Sequence, residues 1–278
     1  MNAAVAVIQM SPGADQSVNL SKADALLAKA AGNGAEICVL PEMFSALVGT
    51  SRWSEISEPA GGKVERFLSE RAAEHRLLIV GGSYIEAAGD YFHNTCAVFA
   101  PDGSLVGRYR KMHLFWTHIE GQASYDERTC LVAGDKRLVF EALGFRVSVG
   151  ICYDLRFPEF FRDPRQEPVD LYCMGAAFMQ ATGIAHWHTL VRARAIENLA
   201  YVAAAGTVGE HYPIEGRAGE VLKTFGHSMI VSPWGEVLDQ VASGEGVAMA
   251  EASRSTLEQS RARLCALDHM RDELWGVW

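Results

Sequence analysis

Cysteine is sparse. Six residues in 278 fall far below the density of a disulfide-stapled scaffold, and no two are spaced as C-x-x-C, so neither a zinc knuckle nor a redox dithiol is indicated. Basic charge is also short: 25 Lys and Arg face 34 Asp and Glu, a net charge of -9. Such a chain lacks the basic surface that sequence-independent nucleic-acid binding requires. No apolar run reaches the roughly 18 residues of a transmembrane helix. The N-terminal run from Ala3 to Met10 has no basic residues before it and is broken by Gln9, which reads as a first buried strand rather than a signal peptide. A cytoplasmic protein with reduced thiols and no membrane contact is expected. Repeats, low-complexity tracts and linker-like composition shifts are missing too. The expectation is one domain over 1–278, with 252–278 as a C-terminal tail.

What the chain does have is apolar mass. Residues of apolar type make up 49%, and a chain this long buries roughly 75% of its unfolded surface, enough for a core without metal or disulfide support. Strands are expected at 3–10, 35–40, 77–84, 95–99, 105–109, 145–151, 170–174, 200–205, 227–231 and 246–251. Helices are expected at 21–31, 62–75, 157–163, 185–198 and 254–267. The unbroken apolar runs at Ile37–Leu40 and Leu77–Val80 indicate strands covered on both faces. Pro101-Asp102-Gly103 and Ser232-Pro233-Trp234-Gly235 read as hairpin turns. The polar stretches 162–169 and 210–226 read as loops. Alternating strands and helices with hairpins predict a layered α/β fold with mixed sheets.

Reactive groups in such folds sit just past the carboxyl ends of strands, and three exits carry unusual residues. At the first, Pro41-Glu42-Met43-Phe44, a carboxylate among apolar neighbours has its charged form disfavoured, which moves it toward the range of a base; a solvent-facing or capping Glu is the alternative. At the second, Arg108-Tyr109-Arg110-Lys111-Met112-His113, alternation puts the two arginines on one face and Tyr109 with Lys111 on the other. A lysine on the apolar side can offer a fixed charge to an oxyanion or a thiolate, whereas a solvated edge-strand patch is the plainer reading. At the third, Gly150-Ile151-Cys152-Tyr153-Asp154 precedes a helix start near Pro158. A cysteine on a strand-to-helix turn is exposed beside backbone N–H groups, and a helix N-terminus lowers a thiol's pKa; a small buried hydrophobe is the alternative. The other five cysteines, Cys38, Cys96, Cys130, Cys173 and Cys265, read as packing residues. His186-Trp187-His188 places two imidazoles at i and i+2, which do not face one site on a helix, so no metal is expected. Arg156, Arg192, Arg194 and Glu197 read as internal salt bridges, and Asp154 as structural.

Taken in order, these three motifs resemble the nitrilase superfamily of carbon–nitrogen hydrolases. The resemblance continues through His93-Asn94-Thr95, Ala133-Gly134-Asp135, His186-Trp187, Arg192–Asn198 and Phe225–Gly235, and it is nearest to the small-amide amidase branch. It implies a four-layer α-β-β-α sandwich, a homodimer or larger homo-oligomer formed across a helical face, and a Glu–Lys–Cys triad on Glu42, Lys111 and Cys152. A second family glutamate lands on Glu127, seven residues before Gly134. It further implies substrate contacts from Tyr153, Ala177 and Phe178, no metal and no organic cofactor. The implied reaction hydrolyses a small, carboxylate-bearing amide through a cysteine thioester, with nitrilase or N-carbamoyl amino acid hydrolase activity as the alternative and a silent binding protein as the third reading. Departures at Met174–Phe178 and at Gly206-Thr207 bear on the substrate. The departure at Leu267–Asp272 bears on the tail, whose Leu274, Trp275, Val277 and Trp278 are expected to dock on a neighbouring subunit or the body.

Overall fold

The computed structural model describes residues 1–117, 125–162, 167–213 and 221–271. The Trp275 and Trp278 tail expectation therefore lies outside the described residues. Two mixed sheets form the centre. The first runs in the order Gly246–Ser253, Asn2–Gln9, Ile37–Val39, Leu78–Val80, Tyr91–Phe99, Tyr84–Ala88, with Leu105–Arg110 also pairing to Tyr91–Phe99. The second runs Val237–Gln240, Met229–Val231, Tyr201–Gly206, Leu171–Ala176, Phe145–Ile151, Leu138–Ala142. Parallel pairs occupy the middle of each sheet and antiparallel pairs the edges.

The period of the strands decides the layering. Val5, Val7, Ile37 and Val39 of the first sheet meet Val147, Val149, Leu171 and Cys173 of the second in one buried cluster, because successive side chains alternate between faces. The opposite parity, Ala6, Ile8, Cys38 and Ile79, packs on Leu20 and Leu27 of the helix Gln16–Gly32 and on Val64 and Leu68 of the helix Lys63–His75. Trp187 and Val191 of the helix Gln180–Asn198 cover the far face of the second sheet. The result is the expected α-β-β-α sandwich.

Several boundaries differ from the sequence expectation: the strand expected at 77–84 is broken into Leu78–Val80 and Tyr84–Ala88, and the helix expected from 21 starts at Gln16. The helix expected from 185 begins at Gln180, and Gly183 inside it is required by close approach: a Cβ there would lie 2.4 Å from the Phe225 side chain. The stretch 210–226 is not simply a loop. It carries the strand Val221–Phe225 and most of Val208–Pro213, a two-stranded ribbon half-exposed on both faces and so without apolar alternation. The segment read as a tail starts inside a sheet strand and continues as the helix Arg254–Arg263, where Arg254 and Arg261 both grip Asp170. No helix among the described residues is long and apolar enough to cross a membrane.

Candidate active site

The three strand exits converge. The strand Ile37–Val39 delivers Glu42, and Met43 follows with φ 56°, turning the chain while its N–H donates to Ser83 Oγ at 3.0 Å. The strand Leu105–Arg110 delivers Lys111. The expected alternation holds: Arg108 and Arg110 pair outward with Glu65 and Glu86, while Tyr109 and Lys111 are buried. Gly134 clamps the lysine, its N–H donating to the Lys111 carbonyl at 2.9 Å, and a Cβ on Gly134 would stand 2.1 Å from the Arg110 carbonyl oxygen. The third exit is a short 3₁₀ turn, Cys152–Arg156, followed by the separate helix Pro158–Phe161. Cys152 opens it in the left-handed region at φ 45°, a conformation that non-glycine residues adopt at a cost of about 1–2 kcal/mol and that is held by its surroundings.

Asp154 does much of that holding. It is fully buried and accepts from Ile151 N–H (2.8 Å) and Tyr109 O–H (2.6 Å) on one oxygen, and from His113 N–H (3.1 Å) and His113 Nδ1 (2.7 Å) on the other. This carboxylate ties the cysteine turn to the segments on both sides of Lys111. The structural reading of Asp154 stands, and its contacts make it a brace between two of the site's groups.

The corner is buried and dense. Lys111 is 1% exposed, and its Nζ lies 3.0 Å from Glu42 Oε1 and 2.9 Å from Glu127 Oε1. Asn94 Nδ2 donates to Glu42 Oε1 at 2.8 Å and the Ala177 backbone N–H to Glu42 Oε2 at 2.7 Å. Glu127 is pinned by Phe115: the Phe115 N–H donates to Glu127 Oε2 at 2.6 Å, and the Glu127 N–H to the Phe115 carbonyl at 2.9 Å. Burial pulls the Lys111 pKa down, but the charges of Glu127 and Glu42 outweigh it and hold the pKa above the ordinary range. Burial raises Glu127, with Lys111 opposing and Glu42 reinforcing.

Cys152 departs from expectation. A helix N-terminus was expected to lower its pKa, yet the thiol is pushed well above its usual range, by burial first and by the negative charge of Glu42 next, with Lys111 opposing. A one-turn 3₁₀ segment offers little dipole against that. A shift in that direction favours the neutral thiol. Cys38, Cys96 and Cys173 are buried and Cys130 is half-buried, as packing residues should be, but Cys265 is exposed.

These groups line one cavity of ≈ 200 Å³ together with Tyr153, Ala177 and Phe178. Arg156 lines it as well, which corrects its reading as an internal salt bridge. Its guanidinium lies 4.9 Å from the Phe178 ring centroid and 3.2 Å from His186 Nδ1, and no carboxylate pairs with it among the described residues. Arg194 does pair with Glu197, but Arg192 donates to the Gly235 carbonyl instead of a carboxylate. His186 and His188 part company, His188 turning to Gln240 and the His227 ring. Sequence reasoning gave no role to Asn94 or to the Ala177 and Phe115 backbones. Asn94 stood inside a quoted motif, whereas backbone donors carry no residue-type signal.

A thiol on a strained turn, facing a carboxylate and an ammonium in a closed corner, has the parts of an acyl-transfer hydrolase: nucleophile, base and electrophilic stabiliser. The carbon–nitrogen hydrolase family model matches residues 4–262, and the chain belongs to that family. It is 36% identical over 273 residues to the ω-amidase NIT2 of Danio rerio, covering 98% of this chain and 96% of that protein, and 38% identical over 262 residues to the ω-amidase NIT2-B of Xenopus laevis, covering 94% and 92%. Its fold superposes with a TM-score of 0.84 on a CN-hydrolase superfamily protein from Xanthomonas campestris whose crystal structure carries an arsenic adduct in the active site, at 30% identity over 97% of both chains. The chain is an enzyme of the amidase kind.

Proposed function

We propose that the chain hydrolyses a small, carboxylate-bearing amide through a thioester on Cys152, releasing ammonia. The observation that carries this reading is the corner itself: one buried lysine shared by Glu42 and Glu127 beside a cysteine at φ 45°. Glu42 takes the thiol proton as Sγ attacks the amide carbonyl carbon. An ammonium has three hydrogens; two go to the carboxylates, and the third, with the Tyr153 backbone N–H, is assigned to the oxyanion. The C–N bond breaks as Glu42 returns its proton to the leaving nitrogen. Glu42 then deprotonates water, the hydroxide attacks the thioester carbonyl, and collapse restores the thiol and frees the carboxylic acid. Glu127 orients Lys111 throughout.

The carboxylate is assigned to Arg156. The protein's own field is negative and disfavours an anionic ligand, so the pocket needs a cation not already committed to a carboxylate, and Arg156 meets that need in the cavity wall. Phe178 supports it by cation–π contact. The similarity to the ω-amidases points the same way. The reading also includes a reducing cytoplasmic setting, in which a catalytic thiol persists. It includes a homodimer or larger homo-oligomer built on the helix Gln180–Asn198, where exposed Ile196 adjoins the turn carrying exposed Trp234. Contiguous apolar surface of this kind marks an interface, and Ile196→Glu should shift the hydrodynamic size to that of a single chain.

The test is ammonia release from glutaramate-like amides, aliphatic nitriles and N-carbamoyl amino acids, with mass spectrometry of the quenched enzyme. Turnover of the first set with an acyl adduct on Cys152, abolished in Cys152→Ala, is the expected result. Preferred turnover of nitriles or carbamoyl compounds, or activity surviving Cys152→Ala, would overturn it.

A further inference from the structure

The proposed reaction leaves one wall of the cavity unused. Met43, Leu47, Val48 and Trp53 form a single buried cluster on the loop that follows Glu42, and Tyr212 and Leu222 of the hairpin pack against it. All six line the cavity. Among the described residues, neither this loop beyond Glu42 nor the hairpin contributes a charged side chain to the lining. The amide of a short linear substrate is met by the Glu42–Lys111–Cys152 corner and its carboxylate by Arg156. Only the methylenes between them remain, and they cannot cover an apolar wall built from two separate chain segments.

We propose that the preferred substrate carries, besides the amide and the carboxylate, an apolar branch of alkyl or aryl type that rests against Leu47, Val48, Trp53 and Leu222. This rests on the reading of the site as an amidase for carboxylate-bearing amides and sharpens its substrate class. The driving force is removal of apolar surface from water on both sides, about fourfold in kcat/KM for each added methylene that is fully buried. A charged branch gains nothing there, because the described residues of the wall carry no charged side chain to pair with it.

The experiment measures kcat/KM for ammonia release by the full chain from glutaramate, the monoamide of the five-carbon diacid, bare and with methyl, propyl or benzyl branches at each internal carbon. A rise of about fourfold per methylene is expected for one branch position. The same series is run on Leu222→Asn and on Leu47→Asn, each checked for native circular dichroism. Either variant should bring the branched-to-bare ratio toward one. Turnover of the bare amide with a flat or falling series overturns this inference and leaves the amidase reading intact, as does a ratio that neither folded variant alters. Turnover of no amide in the series overturns both.

Discussion

Glu42→Gln should move two properties of Cys152 in opposite directions. In the intact site the charge of Glu42 helps keep the thiol protonated, and the proposed mechanism has that same group remove the proton when substrate arrives. Glutamine preserves shape and an acceptor for the Ala177 N–H but removes the charge. Two unit charges about 4 Å apart at an effective dielectric near 20 interact by at most about 4 kcal/mol, and 1.36 kcal/mol corresponds to one tenfold step. Removing that repulsion thus raises the thiolate fraction by up to about a thousandfold. A less basic thiolate is a weaker nucleophile, with a Brønsted slope of about 0.4–0.5, so roughly half of the exponent survives. Reaction at pH 7 with a small neutral reagent such as methyl methanethiosulfonate should therefore speed up by about tenfold to thirtyfold. Amide turnover should fall by about a thousandfold or more, as when one member of an interdependent catalytic set is removed. The assay pairs a stopped-flow modification rate with ammonia release on the same preparation. If both rates fell together, the thiol would depend on Glu42 for its resting reactivity, and the picture of a stored neutral thiol would be wrong. If turnover survived, Glu42 would not be the base.

Lys111→Met should destabilise the fold by about 3–5 kcal/mol, since two carboxylates lose the charge that compensates their burial. Glu127 is already raised by burial with the lysine present, and a raised carboxylate costs stability above its folded pKa. The deficit, read by urea denaturation, should be largest at alkaline pH and shrink as the pH falls and protons neutralise the pair; a deficit independent of pH would contradict this. Gly134→Ala places a methyl against the Arg110 carbonyl and should cost about 1–3 kcal/mol while lowering turnover through displaced Lys111. His211 of the hairpin bridges the Pro12 carbonyl and Thr224 Oγ1, and burial holds its pKa below the usual value. Its contribution is complete above about pH 6.5 and is lost as the pH falls below that, so hairpin amides should exchange with solvent relatively faster at pH 5 than at pH 7.5 once intrinsic rates are removed, and His211→Gln should abolish the difference.

The sequence was most legible where a single period governs a segment. Phe145–Ile151 was read with the bounds it has, because its residues face apolar layers on both sides. The 108–111 alternation announced which cation would be buried. Legibility failed where a third segment sets the outcome. Gly183 looks like a helix breaker until Phe225 is seen against it. The strands Val208–Pro213 and Val221–Phe225 are half-buried or exposed at all but one position and show no period. Arg156 reads as one more internal arginine because nothing local says that its carboxylate partner is missing. The thiol pKa failed for a related reason: the helix-terminus argument is local, whereas burial, which comes first, and the charge of Glu42, which comes next, are set by other segments. The residues that hold this corner, Asp154 and Gly134, were in quoted motifs, but their work of bracing Cys152 and Lys111 is visible only in three dimensions.

The shared lysine also explains why a raised thiol suits this site. With both glutamates ionised, Lys111 protonated and the thiol neutral, the corner carries one net negative charge. A resting thiolate would make that two in a buried volume, which is costly. When Glu42 takes the proton as sulfur attacks, the charge leaves the carboxylate and reappears on the oxyanion, still beside Lys111; when ammonia departs, it returns to Glu42. No step of the proposed mechanism changes the net charge of the corner, so no step leaves an added charge among its buried groups. A substrate carboxylate would break this balance unless it brought its own cation, which is the part assigned to Arg156. Replacing Arg156 by Met should therefore raise KM for carboxylate-bearing amides by about 10- to 150-fold, the equivalent of the roughly 1.5–3 kcal/mol of a hydrogen bond to a charged group, while a neutral amide of the same length loses little. Equal losses for both substrates would place the carboxylate elsewhere.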